Sequence, residues 1–157
     1  MYEYAKWISI IKKNNCMASI KNDMDTFLAI SVHLTGYNEM ELLGTGMLEP
    51  YFNVVTNKNS VNVMESFLTA SADILQRNKG DLKKINADIA SQLMPDACYD
   101  GLAQNIITMW YMGNWMNEMV SSQAYIQGLV WNAAESHPPG AKQPGYGSWH
   151  NPPITQK

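Results

Sequence analysis

Apolar side chains recur along most of the chain every three or four residues, the spacing of one face of an α-helix. Clean alternation of apolar and polar positions, which is typical of a half-buried strand, is nearly absent. The clearest stripe follows a cap at Asn59-Ser60 and stops at Gly80. Its members are Val61, Met64, Phe67, Leu68, Ser71 and Leu75. The pattern predicts an all-α protein that folds as a small helical bundle.

Capping and breaking residues divide the remaining pattern into further helices. Asn22-Asp23 begins the first helix and Gly36 ends it. The segment from about Asn38 to Thr56 is interrupted near Gly44-Thr45-Gly46 and Pro50. These breakers predict two short helices there rather than one.

Two helices towards the C-terminus have clear caps. Asp81 begins one of them, which ends before Pro95. Its apolar face is made of Leu82, Ile85, Ile89 and Leu93. Ser121-Ser122 caps the last helix, which covers Gln123 to about Trp131.

The helix between these two begins at Asp96 or Asp100 and is apolar on more than one side from Leu102 to Met112. Such a helix belongs at the centre of a bundle or in an interface. A methionine-rich face is also a common protein-binding surface. Core packing and partner binding therefore explain the large apolar side chains of this helix and of the residues after it equally well. These side chains are Met109, Trp110, Tyr111, Met112, Trp115, Met116 and Met119.

Composition changes at His137, after which the chain is rich in Pro and Gly. Such a stretch continues no helix and forms no core of its own, so it is either a disordered tail or an extended arm that orders against a partner. Tyr146 and Trp149 favour the arm. We therefore expect an N-terminal extension (1–22), one helical domain (23–136) and an extended Pro/Gly-rich C-terminal arm (137–157). The residues predicted to bind a partner are Trp110, Tyr111, Trp131, Pro138, Pro139, Tyr146, Trp149, Pro152 and Pro153.

Composition narrows the classes of partner. Charged residues make up 16% of the chain, against roughly 25% in typical soluble domains. Eleven methionines and five tryptophans accompany this low charge, a combination typical of a lasting protein interface. The net charge of −3 and the absence of a basic cluster argue against nucleic acid. No apolar run approaches the roughly 20 residues that span a bilayer, so no direct membrane insertion is expected.

The sequence offers no catalytic, cofactor-binding or metal-binding residues. Gly44-Thr45-Gly46 lacks a preceding strand, and Glu49 stands where a dinucleotide fingerprint needs its third glycine. The three histidines, His33, His137 and His150, are too scattered to bind a metal. Cys16 and Cys98 are too few for structural zinc, which leaves idle thiols or a disulfide between them.

Serine and threonine side chains also have structural explanations. Ser31, Thr35, Ser121 and Ser122 fit helix packing and capping, because no motif that activates a nucleophile surrounds any of them.

Four segments occur in an order that resembles a known family. They are FLAISVHLTGY (Phe27 to Tyr37), WYMG (Trp110 to Gly113), SQAYIQGLVW (Ser122 to Trp131) and PPG…PGYGSW…PP (Pro138 to Pro153). The chain, from about Asp23 to its end, is similar to the small subunit of bacterial membrane-bound FAD-dependent sugar and polyol dehydrogenases. This is the sorbitol dehydrogenase family small subunit, which is also found with fructose and glucose dehydrogenases.

The resemblance implies a non-catalytic subunit. In such complexes a large glucose-methanol-choline type flavoprotein holds the FAD and oxidises the sugar, and a multi-haem cytochrome subunit passes the electrons to quinone. The small subunit supports folding and export of the large one, on the periplasmic side of the inner membrane. None of the flavin-binding or catalytic residues would lie on this chain.

Two departures from the family qualify this implication. Residues 1–22 lack the order of a secretory or twin-arginine signal, so a cytoplasmic location is the alternative. The arm carries no cysteine between Pro139 and Pro144, so its link to a partner would be non-covalent. The competing functions are a free-standing helical protein-binding module with another partner and an independent enzyme.

Overall fold

Helices form where the caps and apolar stripes predict them. The structure is a computed structural model that describes residues 22–140, apart from the side chains of Asp96 and Cys98. In chain order the helices are α1 (22–35), α2 (Glu39–Gly44), α3 (Leu48–Lys58), α4 (Val61–Arg77), α5 (Leu82–Gln92), α6 (Asp96–Tyr99), α7 (Leu102–Met112), α8 (Ser122–Gln127) and α9 (Leu129–Ala133). Two strands, β1 (Asn114–Trp115) and β2 (Glu118–Met119), join α7 to α8. The predicted all-α bundle is confirmed.

Side-chain caps mark the starts of α2, α4, α5 and α8. Asn38 and Glu41 form a reciprocal capping box at α2. The Ser60 hydroxyl accepts a hydrogen bond from the Val63 amide at 3.3 Å, and the Asp81 carboxylate accepts one from the Lys84 amide at 3.1 Å. Each such cap stabilises its helix by about 1 kcal/mol.

Gly36 ends α1 as predicted, in the left-handed region with φ +77°. Its amide donates to the Val32 carbonyl at 2.9 Å, which closes the last turn. The break between α2 and α3 falls at Thr45 and Gly46 as expected, but Pro50 interrupts nothing. It is the third residue of α3, where its amide would have no partner within the helix.

Three details of the predicted stripes are wrong. Val61 and Leu82 are exposed, because each is the first residue of its helix and faces solvent rather than the core. Neither Asp96 nor Asp100 begins the long apolar helix directly. Asp96 begins the single turn α6, and Asp100 and Gly101 then adopt left-handed conformations that redirect the chain into α7.

The core is continuous from α1 to α9. Helix α7 packs against α6, β1, α8 and α9, and α4 packs against α3 and α5. The largest fully buried side chains are Phe27, Ile30, Leu42, Tyr51, Phe67, Ile74, Leu93, Leu102, Ile106, Met109, Trp110 and Leu129. Burial of this apolar set is the main source of stability.

The buried hydroxyls are satisfied within their own helices. Ser31 donates to the Phe27 carbonyl at 2.7 Å, Thr35 to the Ser31 carbonyl at 2.8 Å, and Ser71 to the Phe67 carbonyl at 2.7 Å. The Ser121 hydroxyl accepts from the Ala124 amide at the start of α8. The structural explanation of Ser31, Thr35 and Ser121 is therefore confirmed.

A polar contact joins α4 to α5 at the surface. The Asp88 carboxylate accepts hydrogen bonds from the Asn78 amide group at 2.6 Å and from the Arg77 guanidinium at 2.9 Å. These donors hold the pKa of Asp88 below its ordinary value, with the Asn78 hydrogen bond as the largest cause. The contact fixes the turn between the two helices.

Two features were not predicted. The expected helix from Gln123 to Trp131 breaks at Gly128 into α8 and α9. Strands β1 and β2 pair antiparallel, Asn114 with Met119 and Trp115 with Glu118. Gly113, which stops α7, and Asn117, a good turn former, were the available signals for this hairpin.

Candidate functional site

Three of the four segments that carry the family resemblance meet at one place. The rings of Tyr37 and Tyr111 pack edge to face with their centroids 6.1 Å apart. The Tyr111 hydroxyl donates to the Thr35 carbonyl at 2.9 Å, and the Tyr37 hydroxyl donates to the Leu129 carbonyl at 3.3 Å. We call Thr35, Tyr37, Tyr111 and Leu129 the tyrosine junction; it connects α1, α7 and α9.

Two glycines allow the backbones to approach closely beside this junction. A Cβ atom on Gly128 would lie 2.7 Å from the Tyr111 carbonyl oxygen. A Cβ atom on Gly113 would lie 2.5 Å from the Ala124 carbonyl, and Gly113 also has φ +72°. The short distances show that the backbone of the α8–α9 corner packs directly against the end of α7. The helix breaks at Gly128 because only a residue without a Cβ fits at this point of contact.

Tyr111 is half-buried and its hydroxyl is used inside the molecule, so its first role is to hold the tyrosine junction together. Trp110 is 1% exposed and packs edge to face on Tyr51, with the ring centroids 4.9 Å apart. Of the two alternatives for Trp110, the structure favours the core. In this conformation the Trp110 side chain is part of the core, and its predicted contact with a partner stays a prediction.

Trp131 fixes the start of the C-terminal arm. Its indole Nε1 donates to the Tyr125 carbonyl at 2.7 Å, and the two rings pack edge to face at 5.3 Å. The Tyr125 hydroxyl in turn donates to the Pro139 carbonyl at 3.3 Å, and Pro138 is buried. The start of the predicted arm, up to Pro139, is therefore packed against the helical body of this chain.

A shallow groove of about 210 Å³ lies beside this docking point. It runs between the end of α2, the α8–α9 corner and the start of the arm. Among the residues that line it are Glu41, Thr45, Ile126, Trp131, Ser136 and Pro138. The structure thus brings two of the predicted binding residues, Trp131 and Pro138, to the wall of one groove.

Tyr146, Trp149, Pro152 and Pro153 lie outside the described residues, and so does Cys16. Their predicted roles, and the alternative of a Cys16–Cys98 disulfide, stay predictions.

The methionines around the hairpin fall into two classes. Met109 is fully buried. Met112 is 49% exposed, Met116 61% and Met119 58%. We call these three exposed residues the hairpin methionines. Trp115, between them in sequence, is buried and anchors the hairpin to the core.

Met116 occupies an unfavourable backbone conformation. It follows β1 at the turn of the hairpin with φ +53°, in the left-handed region that non-glycine residues avoid. That conformation costs roughly 1–2 kcal/mol for an ordinary side chain. A glycine or asparagine would fold this turn more easily, so an exposed methionine here is a local conflict of the kind that concentrates at functional positions.

One ion pair connects the hairpin to the rest of the surface. The Lys58 ammonium lies 3.3 Å from the Glu118 carboxylate, with both side chains largely exposed. Exposed pairs contribute at most about 1 kcal/mol. The buried side chain of Trp115 therefore holds the hairpin in place more than this pair does.

Ionisable groups with shifted pKa values are dispersed. Burial raises the pKa of the Tyr51 hydroxyl and lowers that of the His33 imidazole. The pKa of Tyr37 is raised, first by burial and then by Tyr111 and Glu41. Among residues 22–140, no three His, Cys, Asp or Glu side chains are grouped as a metal site would need. In the same range no helix combines the length and apolar character needed to cross a bilayer.

Comparison of the chain with family models, characterised proteins and solved structures finds no match. The resemblance to the dehydrogenase small subunit therefore rests on the four short segments.

The tyrosine hydroxyls give a test of these contacts. We expect Tyr111→Phe to lower the free energy of unfolding by about 1 kcal/mol, because it removes a hydrogen bond of 2.9 Å to the Thr35 carbonyl. Tyr51→Phe is the matched control: no described protein group is hydrogen-bonded to its buried hydroxyl, so the same change there should be neutral or stabilising. Urea unfolding followed by circular dichroism measures both. Equal losses would contradict the assignment of Tyr111.

Proposed function

We propose that this chain is a non-catalytic small subunit that binds the large FAD-dependent flavoprotein of a bacterial sugar or polyol dehydrogenase and supports its folding. The FAD and the chemistry belong to the large subunit, which is of the glucose-methanol-choline type. A multi-haem cytochrome would complete the complex, on the periplasmic side of the inner membrane.

A single structural observation carries the protein-binding part of this proposal. Three methionines project within eight residues of one another at the end of α7 and along the hairpin, and the one at the turn has a costly left-handed backbone. Thioether side chains are apolar and flexible, so they adapt to a partner's surface. Apolar groups removed from water at the centre of an interface supply most of its affinity.

The identity of the partner is supported by the four family-like segments. Three of them meet at the tyrosine junction, and the fourth begins at Pro138, beside Trp131 of the third. Within residues 22–140, the family-like segments thus form one connected part of the molecule. Any other helical binding module could use the hairpin methionines as well, so the partner is what the experiment has to identify.

Met116→Asp tests the surface. A charged side chain at the hairpin turn should leave the fold intact, since Met116 is outside the core. It should nevertheless weaken binding at least tenfold. The interface would lose the apolar contact of Met116 and would also have to remove an unpaired carboxylate from water. The readout is recovery of a co-expressed large flavoprotein from the same genome, quantified by its flavin absorbance.

Met40→Asp is the control for this test. Met40 is 76% exposed but lies on α2, outside the hairpin. Recovery should stay at the wild-type level with this variant. Full recovery with Met116→Asp would remove the hairpin from the interface, and capture of a partner without flavin would favour the free-standing binding module.

A further inference from the structure

Methionines in the described chain differ sharply in their access to solvent. The hairpin methionines and Met40 are exposed, whereas Met47, Met64 and Met109 are each at most 5% exposed. A soluble oxidant reaches exposed thioethers first. The molecule thus combines oxidisable side chains on a candidate interface with methionines in the core that are shielded.

We propose that Met116 and Met119 form a peroxide-sensitive modification site that controls assembly of this subunit with its partner. The inference rests on the proposed function and deepens it. In its reduced thioether form the hairpin binds the flavoprotein, and in its sulfoxide form it does not.

The chemistry needs hydrogen peroxide alone. The sulfur atom donates an electron pair to one peroxide oxygen, the O–O bond breaks, and the second oxygen leaves as water after a proton shift. The thioether is oxidised by two electrons to the sulfoxide and the peroxide is reduced to water.

Oxidation at these positions changes binding without unfolding the chain. Met116 is 61% exposed and Met119 58%, so neither side chain is packed in the core. Each sulfoxide replaces an apolar tip with a polar one. An interface that surrounds this tip would have to bury the new S=O group without a hydrogen-bond partner, which costs affinity.

Assembly and oxidation then exclude each other. Once the partner covers the hairpin, the peroxide no longer reaches Met116 or Met119, while Met40 on α2 stays accessible. Only chains that have not yet bound are inactivated. Peroxide would therefore lower binding of this subunit to its partner before the complex forms, and it would not act on the assembled complex during turnover.

The experiment begins with the isolated full chain. A short hydrogen peroxide treatment is stopped with catalase, and oxidised positions are mapped by peptide mass spectrometry. We expect sulfoxide at Met116, Met119 and Met40 well before Met47, Met64 and Met109, with an unchanged circular dichroism spectrum. Binding of the treated chain to the purified flavoprotein should be weaker at least tenfold and should return after treatment with the two methionine sulfoxide reductases.

Variants separate the hairpin from the other methionines. In a Met112→Leu/Met116→Leu/Met119→Leu triple variant, which removes all three hairpin methionines, the ratio of treated to untreated affinity should stay near one, whatever its starting affinity. In the Met40→Leu control the ratio should fall as in the wild type. The assembled complex should show protection of Met116 and Met119 but not of Met40.

Two results would overturn the inference alone: undiminished binding by a chain that carries sulfoxide at Met116 and Met119, or an equal loss of binding in the triple leucine variant. Failure of the untreated chain to bind any flavoprotein would overturn the proposed function. It would also overturn the proposed regulation of assembly by methionine oxidation.

Discussion

Gly128→Ala and Gly113→Ala are each expected to lower the free energy of unfolding by about 3 kcal/mol or more. A Cβ atom at either position would meet backbone atoms, at 2.7 Å for Gly128 and 2.5 Å for Gly113. Backbone cannot move aside as a flexible side chain can. Gly113 adds the cost of its left-handed conformation, which is roughly 1–2 kcal/mol for a residue with a Cβ.

Two other glycines provide matched controls for these variants. Gly44 is the control for Gly128, because neither has a positive φ. Gly46 is the control for Gly113, because both have a positive φ. A Cβ atom added to Gly44 or to Gly46 would have no atom within 4 Å. Gly44→Ala should be neutral or slightly stabilising, and Gly46→Ala should cost about 1–2 kcal/mol. Urea unfolding of the four variants separates steric overlap from backbone strain. If each variant matched its control, α7 and the α8–α9 corner would not be in the close contact described above.

Removing residues 141–157 is expected to abolish recovery of the flavoprotein while leaving the helical bundle folded. The truncation belongs after Gly140 rather than after Ser136, because Pro138 is buried and the Pro139 carbonyl accepts a hydrogen bond from Tyr125. The removed segment contains Tyr146 and Trp149, the predicted aromatic anchors. Anchors of this kind typically supply about 2 kcal/mol or more apiece. The prolines on either side of them, Pro144, Pro152 and Pro153, lower the entropy lost on binding.

Circular dichroism checks the fold of the truncated chain, and flavin absorbance of the co-purified material checks binding. Trp149→Ala in the full chain should weaken recovery measurably, and Trp149→Phe should restore part of it. Recovery at full yield with the truncated chain would make the arm dispensable and leave the hairpin methionines as the main contact.

Features decided by a few neighbouring residues could be predicted from the sequence. Ser60, Asp81 and Ser121 cap helices where expected, because a side-chain oxygen satisfies a free amide only two or three residues away. The left-handed stop at Gly36 follows the same local rule.

Features decided by distant contacts could not be predicted. The break at Gly128 depends on the Tyr111 carbonyl, which lies seventeen positions earlier in the chain. The helical spacing that places Leu82 with Ile85 and Ile89 does not say where the core ends, and Leu82 lies just beyond it.

The candidate surface was predicted only as a group. A run of Met, Trp and Tyr indicates apolar side chains without indicating which of them a neighbouring helix covers. Trp110 and Met109 are covered, whereas Met112 and Met116 are not. Contacts distant in sequence, such as that of Trp110 with Tyr51, decide this division. The strands of the hairpin are too short to produce a periodic pattern.

Co-expression of this chain with the large flavoprotein, followed by size-exclusion chromatography and a flavin spectrum, tests whether the chain is its non-catalytic partner. We predict one yellow peak that contains both chains, more soluble flavoprotein than without this chain, and no flavin absorbance or sugar oxidation by this chain alone. Separate elution of the two chains, with an unchanged yield of flavoprotein, would show that this chain is not the partner of the flavoprotein. Stoichiometric FAD on the isolated chain would show that it is not a non-catalytic subunit.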